Sequence, residues 1–318
     1  MFKYIVRRVA EMILTLFIIA TATFFLLSAV PGDALTENTK KLPPIIKQAM
    51  YKKYGLDRPI GERYVKTMVQ MVKGDFGESI IYPGQTMSFI IKNKLPASAR
   101  LGIQQMLLGI SVGLLLGIAA ALHRETWVDY GIVTLSVLLI SIPTLIFAIM
   151  LQYIFAGKLH LFPVIGWPKG DDLWFGGWKY TILPTLAGCF GYISGYARIL
   201  KTSMLDVINQ DYVLTAKAKG LSKGDIVRKH ILKNSFIPII TSLPLSIVFC
   251  ITGSLFIERI FSIPGLGFYF VGAVNGRDLP IIMGITILDT IMYVITILLT
   301  DILYTFVDPR IRITGGKR

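Results

Sequence analysis

Long apolar stretches alternate with short polar segments along the whole chain. Six of them, Val9 to Val30, Leu101 to Leu122, Tyr130 to Phe155, Thr181 to Leu200, Phe236 to Ile257 and Pro280 to Val307, match the length a helix needs to cross a bilayer. About 20 residues at 1.5 Å each cover the ~30 Å of hydrocarbon. In hydrocarbon every backbone amide has to be paired within its own segment, so the pattern predicts an all-α polytopic membrane protein with six transmembrane helices. The chain divides into an N-terminal transmembrane helix at 1–30, an external segment at 31–96 over the outer mouth, and a five-helix core at 97–318.

The basic residues orient these spans. With six crossings both ends share one side, and that side carries sixteen Lys and Arg against five in the two short loops opposite. By the positive-inside rule both termini are cytoplasmic. Lys3, Arg7 and Arg8 before the apolar run from Met12 to Leu27 resemble a signal peptide, but Val30 stands where a small residue would precede a cleavage site. The run therefore reads as a retained span.

Composition agrees with the pattern. Of 318 residues 53% are hydrophobic and 16% charged, where soluble domains carry about 25% charge. The net charge of +14 is spread between apolar runs and forms no single basic face, which argues against a nucleic-acid partner. Cys189 and Cys250 lie inside apolar runs, and His123, His160 and His230 are scattered, so neither a disulfide framework nor a metal site is expected. A G-x-x-x-x-G-K-[ST] loop is missing from the chain, so any nucleotide hydrolysis belongs to a partner. A membrane enzyme would need paired carboxylates or a His cluster, and a channel a filter sequence; neither pattern is present.

Several positions within the spans call for explanation, because an acid at mid-bilayer costs ~3 kcal/mol. Glu11 lies one turn from Arg7 and Arg8. Asp301, Tyr304 and Asp308 share a helix face, with Arg310 near, and read as a structural cytoplasmic end. Asp289 lies close to the middle of the last span, where it either lines a passage or bonds to a neighbouring helix. Pro143, between Ser141 and Thr144, removes an amide donor and predicts a kink; these three with Asp289 are the candidate translocation-path residues. Gly109, Gly113 and Gly117 repeat every four residues and favour close helix packing. Trp167, Trp174 and Trp178 suggest an interfacial belt. In the external segment the pattern predicts an amphipathic helix from Pro44 to Tyr54 and a turn at Gly74-Asp75-Phe76-Gly77.

The loop 201–235 is the most informative. It predicts a short helix from Tyr212 to Lys219, with Asp211 accepting at its N-terminus and Gly220 supplying a left-handed residue after its end. Ser222 and Asp225 form a capping box for a second helix, which leads into Arg228, Lys229, His230 and Lys233. Two readings fit: a solvated basic connector, or a rod parallel to the membrane whose Ala216 and Ala218 admit a partner's groove.

The stretch from Asp211 to Leu221, Asp-Tyr-Val-Leu-Thr-Ala-Lys-Ala-Lys-Gly-Leu, resembles the EAA loop of binding-protein-dependent ABC importer permeases of the dipeptide and oligopeptide group. Pro31-Gly32-Asp33, Tyr54-Gly55-Leu56-Asp57, Gly74 to Ser79, Phe261 to Gly267, Arg277 to Pro280, Asp301 to Tyr304 and Asp308 to Arg312 are similar to the same group in order and spacing. The resemblance implies a type I ABC importer permease fold in the bacterial cell membrane. It implies a coupling helix in which Asp211, Tyr212, Thr215, Ala216, Ala218, Lys219 and Gly220 meet an ATPase. The partners it implies are a second homologous permease, two ABC ATPase subunits holding ATP and Mg, an extracytoplasmic peptide-binding protein and a peptide substrate. Nickel-chelate and glutathione importers have closely similar permeases.

Overall fold

The computed structural model describes residues 2–32, 35, 43–170 and 172–307, with the backbone alone at 2–5, 252 and 301–307. Helices account for most of this chain, and among the described residues the β structure is one isolated bridge, Glu78 to Thr86.

Two long helices form the spine. α4 (Met87–Leu122) and α8 (Trp178–Ile208) run parallel in close contact. The reason is the glycine stripe: a Cβ built on Gly109, Gly113 or Gly117 would lie 2.7 Å from the carbonyl oxygen of Cys189, Ile193 or Ala197 in turn. Three side chains of zero size let the backbones approach over two full turns. Any larger residue would push the helices apart.

α1 (Phe2–Ala29) packs along α15 (Leu279–Val307), which also contacts α12 (Ile237–Thr252) and α14 (Leu266–Gly276). α5 (Trp127–Ser141) and α6 (Thr144–Leu151) pack on α8. The break between them at Ile142 and Pro143 bends the pair by 93°, as a missing amide donor allows. A wide-turn segment, Gln152–Lys158, follows, and Gln152 Nε2 donates to the carbonyls of Val164 and Ile260 at 2.8 and 3.0 Å.

Four helices among the described residues, Val6–Ala29, Met87–Leu122, Ile237–Ile260 and Leu279–Thr300, are long and apolar enough to cross a membrane, and the bent pair supplies a fifth candidate. α8 has the length for a sixth. Its glycines, hydroxyl residues and Lys179, Arg198 and Lys201 dilute its apolar character.

The external segment holds α2 (Pro44–Tyr54), with the expected bounds and Gly55 left-handed at φ 68° after it. It also holds α3 (Ile60–Val72), which the sequence reading did not identify. Tyr64, Met68 and Met71 of α3 pack on Ala20 and Phe24 of α1 and on Met283 and Ile287 of α15. The Tyr64 hydroxyl lies 2.9 Å from Thr21 Oγ1. Part of this segment therefore lies along the flank of α1 and α15. α4 begins at Met87, where Thr86 Oγ1 accepts from the Phe89 amide, so the last residues of the external segment extend that helix through Pro96.

Trp167 departs from the belt reading. It is 6% exposed, packs with Ala97, Leu101 and Leu183, and lies under the Arg100 guanidinium. Trp174 and Trp178 are exposed. Arg100, itself buried, donates to the carbonyls of Asp172, Leu173 and Gly176, which close α7 (Asp172–Phe175).

Candidate functional site

α8 ends at Ile208, and after a turn at Asn209 and Gln210 the chain enters α9 (Asp211–Ala218). The helix starts one residue earlier than the capping pattern predicts. Gln210 holds the cap position in extended conformation with no side-chain cap bond, and Asp211 is the first helical residue. Its carboxylate in the first turn still favours the helix dipole. Gly220 has φ +77° and its amide donates to the Lys217 carbonyl, while Leu221 N reaches the Ala216 carbonyl at 3.3 Å. That is the left-handed stop the sequence called for.

α9 has two different faces. Val213 is fully buried and Ala216 5% exposed, in a cluster with Leu200 and Met204 of α8, with Ile226 and Ile231 of the following turns, and with Ile239 of α12. The small side chain of Ala216 thus serves close packing inside this chain. Asp211, Leu214, Thr215, Lys217, Ala218 and Lys219 are exposed on the remaining surface. Tyr212 is partly committed, since its hydroxyl accepts from Asn234 Nδ2 at 2.7 Å.

The capping box forms as read. Ser222 Oγ accepts from the Asp225 amide at 3.2 Å and donates to the Asp225 carboxylate at 2.8 Å, opening α10 (Lys223–Asp225). Hydrogen bonds from Lys229, then from Ser222, hold the Asp225 carboxyl below its ordinary range. A wide-turn segment, Ile226–Leu232, and α11 (Lys233–Ser235) return the chain to α12.

α5 is tied to α8 at two levels. Lys201 and Asp129 form an ion pair at 2.5 Å, and Ser194 Oγ donates to the Ser136 carbonyl at 2.8 Å. Farther along, the Phe147 ring of α6 lies 4.5 Å from Phe190. The bent pair, including Ser141, Pro143 and Thr144, is thereby fastened to the helix that continues into α9. These three residues are exposed, with Ser141 Oγ donating to the Val137 carbonyl. Asp289 lies half-buried on α15, and its Oδ1 is buried without a hydrogen-bond partner. Within this chain α15 packs on α1, α4, α12 and α14, while α5 and α6 pack on α8, so Asp289 and the bend residues are not brought together. Asp301 and Tyr304 are described in backbone only, as turns of α15, and Asp308 and Arg310 lie outside the described residues.

Three buried carboxylates were missed by sequence reasoning: Asp129, paired with Lys201, and the two that follow. Glu258 of α13 (Leu255–Ile260) is fully buried; it accepts from Ser98 Oγ at 2.7 Å and from the amides of Ser254 and Phe268 at 3.2 and 3.0 Å. Ser98 in turn accepts from the Leu266 amide at 2.7 Å. A Cβ on Gly253, Gly265 or Gly267 would come within 3 Å of a Glu258 oxygen, which explains the glycines of Phe261 to Gly267. Asp278, also fully buried, accepts from Ser79 Oγ at 2.5 Å and from the Ile81 amide at 3.0 Å. It ties the turn after Gly74-Asp75-Phe76-Gly77 to the start of α15. The signal available was the order of these motifs, without a reason to pair them. Among the described residues, no three His, Cys, Asp or Glu gather as a metal cluster.

Known proteins agree with this arrangement along the chain. Residues 113–313 match the family described as binding-protein-dependent transport system inner membrane component, and residues 1–96 match its N-terminal companion family. The chain is 38% identical to a dipeptide transport system permease protein of Lactococcus lactis over 98% of its own length and all of that protein. A dipeptide transport system permease protein of Bacillus subtilis is 37% identical over 98% of the chain and 99% of its length. An oligopeptide transport system permease protein of Escherichia coli is 36% identical over 98% of the chain and all of its length. By its sequence over nearly its whole length, the chain belongs to the binding-protein-dependent transport system inner membrane components.

Proposed function

We propose that this chain is a membrane-spanning permease subunit of an ATP-driven importer of dipeptides or oligopeptides. The observation that carries the reading is the construction of α9: one face buried through Val213 and Ala216 against α8 and α12, the other exposed. A short helix held this way transmits displacement, because a packed interior moves as a unit and does not deform smoothly. In this reading the chain crosses the membrane six times with both termini and α9 in the cytoplasm, where an ATPase subunit docks on Leu214, Thr215 and Ala218. ATP binding and hydrolysis in two such subunits move α9, α8 follows, and α5 and α6 follow α8 through Asp129, Ser136 and Phe147. The substrate passes between this chain and a second, homologous permease, delivered by an extracytoplasmic binding protein.

The peptide class rests on the full-length similarity to permeases named for dipeptide and oligopeptide transport. Cells lacking the gene are expected to lose uptake of a labelled dipeptide or tripeptide and to recover it on complementation. Unchanged peptide uptake together with lost uptake of a nickel chelate or of glutathione would transfer the permease to one of those substrates.

A further inference from the structure

Beside the Asp129–Lys201 pair lies a cavity of about 260 Å³ that the transport reading does not use. It is lined by Ile132, Val133, Ser136 and Val137 of α5, Ala120 of α4, and Ala197, Arg198 and Lys201 of α8. The lining is apolar apart from these two cations and Ser136, whose carbonyl is already taken by Ser194. Val133 and Val137 are 40% and 50% exposed, and the neighbouring Tyr130, Leu135 and Leu138 also face outward. The groove therefore opens on a surface that carries the apolar pattern of a membrane face, at the end of α8 nearest α9.

Charge identifies the occupant. Arg198 is exposed and, among the described residues, makes no ion pair. Lys201 is paired with Asp129, and Arg124 nearby is paired with Glu125 at 3.0 Å. At the groove itself Arg198 and Lys201 meet one acid, Asp129, so the surplus cation is Arg198, one helical turn from Lys201 on the same face. A hydrophobic helix of another subunit seated here would strip water from Arg198 and supply no counter-charge. An acyl chain beneath an acidic headgroup satisfies both the groove and the cation, because basic residues at the bilayer boundary attract anionic lipid. We propose that this groove binds an anionic phospholipid, with a chain between α5 and α8 and its phosphate on Arg198. A lipid there would wedge the bent pair against the helix that leads into α9.

The test uses the full chain purified with its partner subunits in detergent. Dioleoylphosphatidylglycerol and dioleoylphosphatidylcholine are titrated separately, and bound lipid is counted by native mass spectrometry. The assembled protein is expected to favour the anionic lipid by about five-fold, the preference one interfacial cation supplies. Arg198→Gln should reduce that ratio to about one, Arg198→Lys should retain it, and Val133→Trp should lower retention of both lipids by filling the groove. Since Arg198 is exposed, the Gln variant should melt with the parent. An unchanged ratio in Arg198→Gln, or its loss in Arg198→Lys, would overturn the proposal. So would competition by glycerol phosphate alone, which would mark a site for free phosphate. Lipid held by the isolated chain but absent from the assembled transporter would assign the groove to another subunit.

Discussion

Replacing Glu258 by Ala removes a carboxylate that joins Ser98 of α4 to the amides of Ser254 and Phe268 on either side of α13, and the structure sets the size of the loss. The amides of Ser254 and Phe268 each donate to it in part-buried bonds, and both would lose that acceptor. An unsatisfied buried donor costs about 1–3 kcal/mol, so two part-buried ones cost at most about 2–6 kcal/mol before the cavity is counted. Ser98 would keep the Leu266 amide but lose its own acceptor. Replacement by Gln preserves volume and one acceptor oxygen, so it should cost less than Ala. Ser98→Ala should also be milder, because it orphans one amide, that of Leu266, and leaves the carboxylate with two. The assay is thermal unfolding of the purified transporter in detergent, read as an ordering of midpoints, with the parent above Ser98→Ala and Glu258→Gln and Glu258→Ala lowest. A Glu258→Ala midpoint equal to the parent's would refute the reasoning that this carboxylate holds α4 against α13 and the start of α14. So would a Ser98→Ala protein that melts below it.

Other substitutions address other parts of the account. Gly220→Val should abolish peptide uptake while the chain still inserts: a side chain at φ +77° costs ~1–2 kcal/mol, although no atom lies within 4 Å of its Cβ. Gly220→Ala should lose less, and near-normal uptake by the Val variant would reduce the loop to a connector. Asp289→Asn should slow uptake without changing retention of ATPase subunits; identical kinetics for every peptide tried would place Asp289 outside the path. Asp278→Ala should release the segment around Ser79 and Ile81, seen as faster proteolytic cutting between Gly74 and Gly84, and an unchanged cutting rate would show that the turn holds itself.

How much of this was legible in the sequence depends on the distance over which each feature acts. The bounds of α2, the Pro143 bend, the glycine stripe and the Ser222–Asp225 box are local, and each follows from a residue's own backbone or a neighbour within four positions. The pairing of Ser98 with Glu258 spans 160 residues and that of Ser79 with Asp278 spans 199. Spacing carries no information about such pairs. α3 was missed although Tyr64, Met68 and Met71 recur at helical spacing, because the segment is short, charged and flanked by Gly and Pro, and what that face packs on, α1 and α15, is distant in sequence. Ala216 looked like a surface for a partner because eight residues give too few turns to tell which face is buried. Trp167 looked interfacial by residue type, and its buried seat is made by residues far away in sequence, Ala97, Leu101 and Leu183 with Arg100 over its ring.

The central claim is that the exposed face of α9 meets an ATPase subunit, and disulfide mapping addresses it most directly. Single cysteines at Leu214, Thr215, Ala218 and Val213 would be introduced into the transporter with Cys189 and Cys250 replaced by Ala. Each would be paired with cysteines placed around the candidate cleft of the ATPase and oxidised in membranes. The account predicts cross-links from Leu214→Cys, Thr215→Cys and Ala218→Cys that change in yield when ATP is bound, and none from Val213→Cys, whose side chain faces α8 and α12. Absence of any cross-link from the three exposed positions, in a complex that still imports peptide, would contradict it.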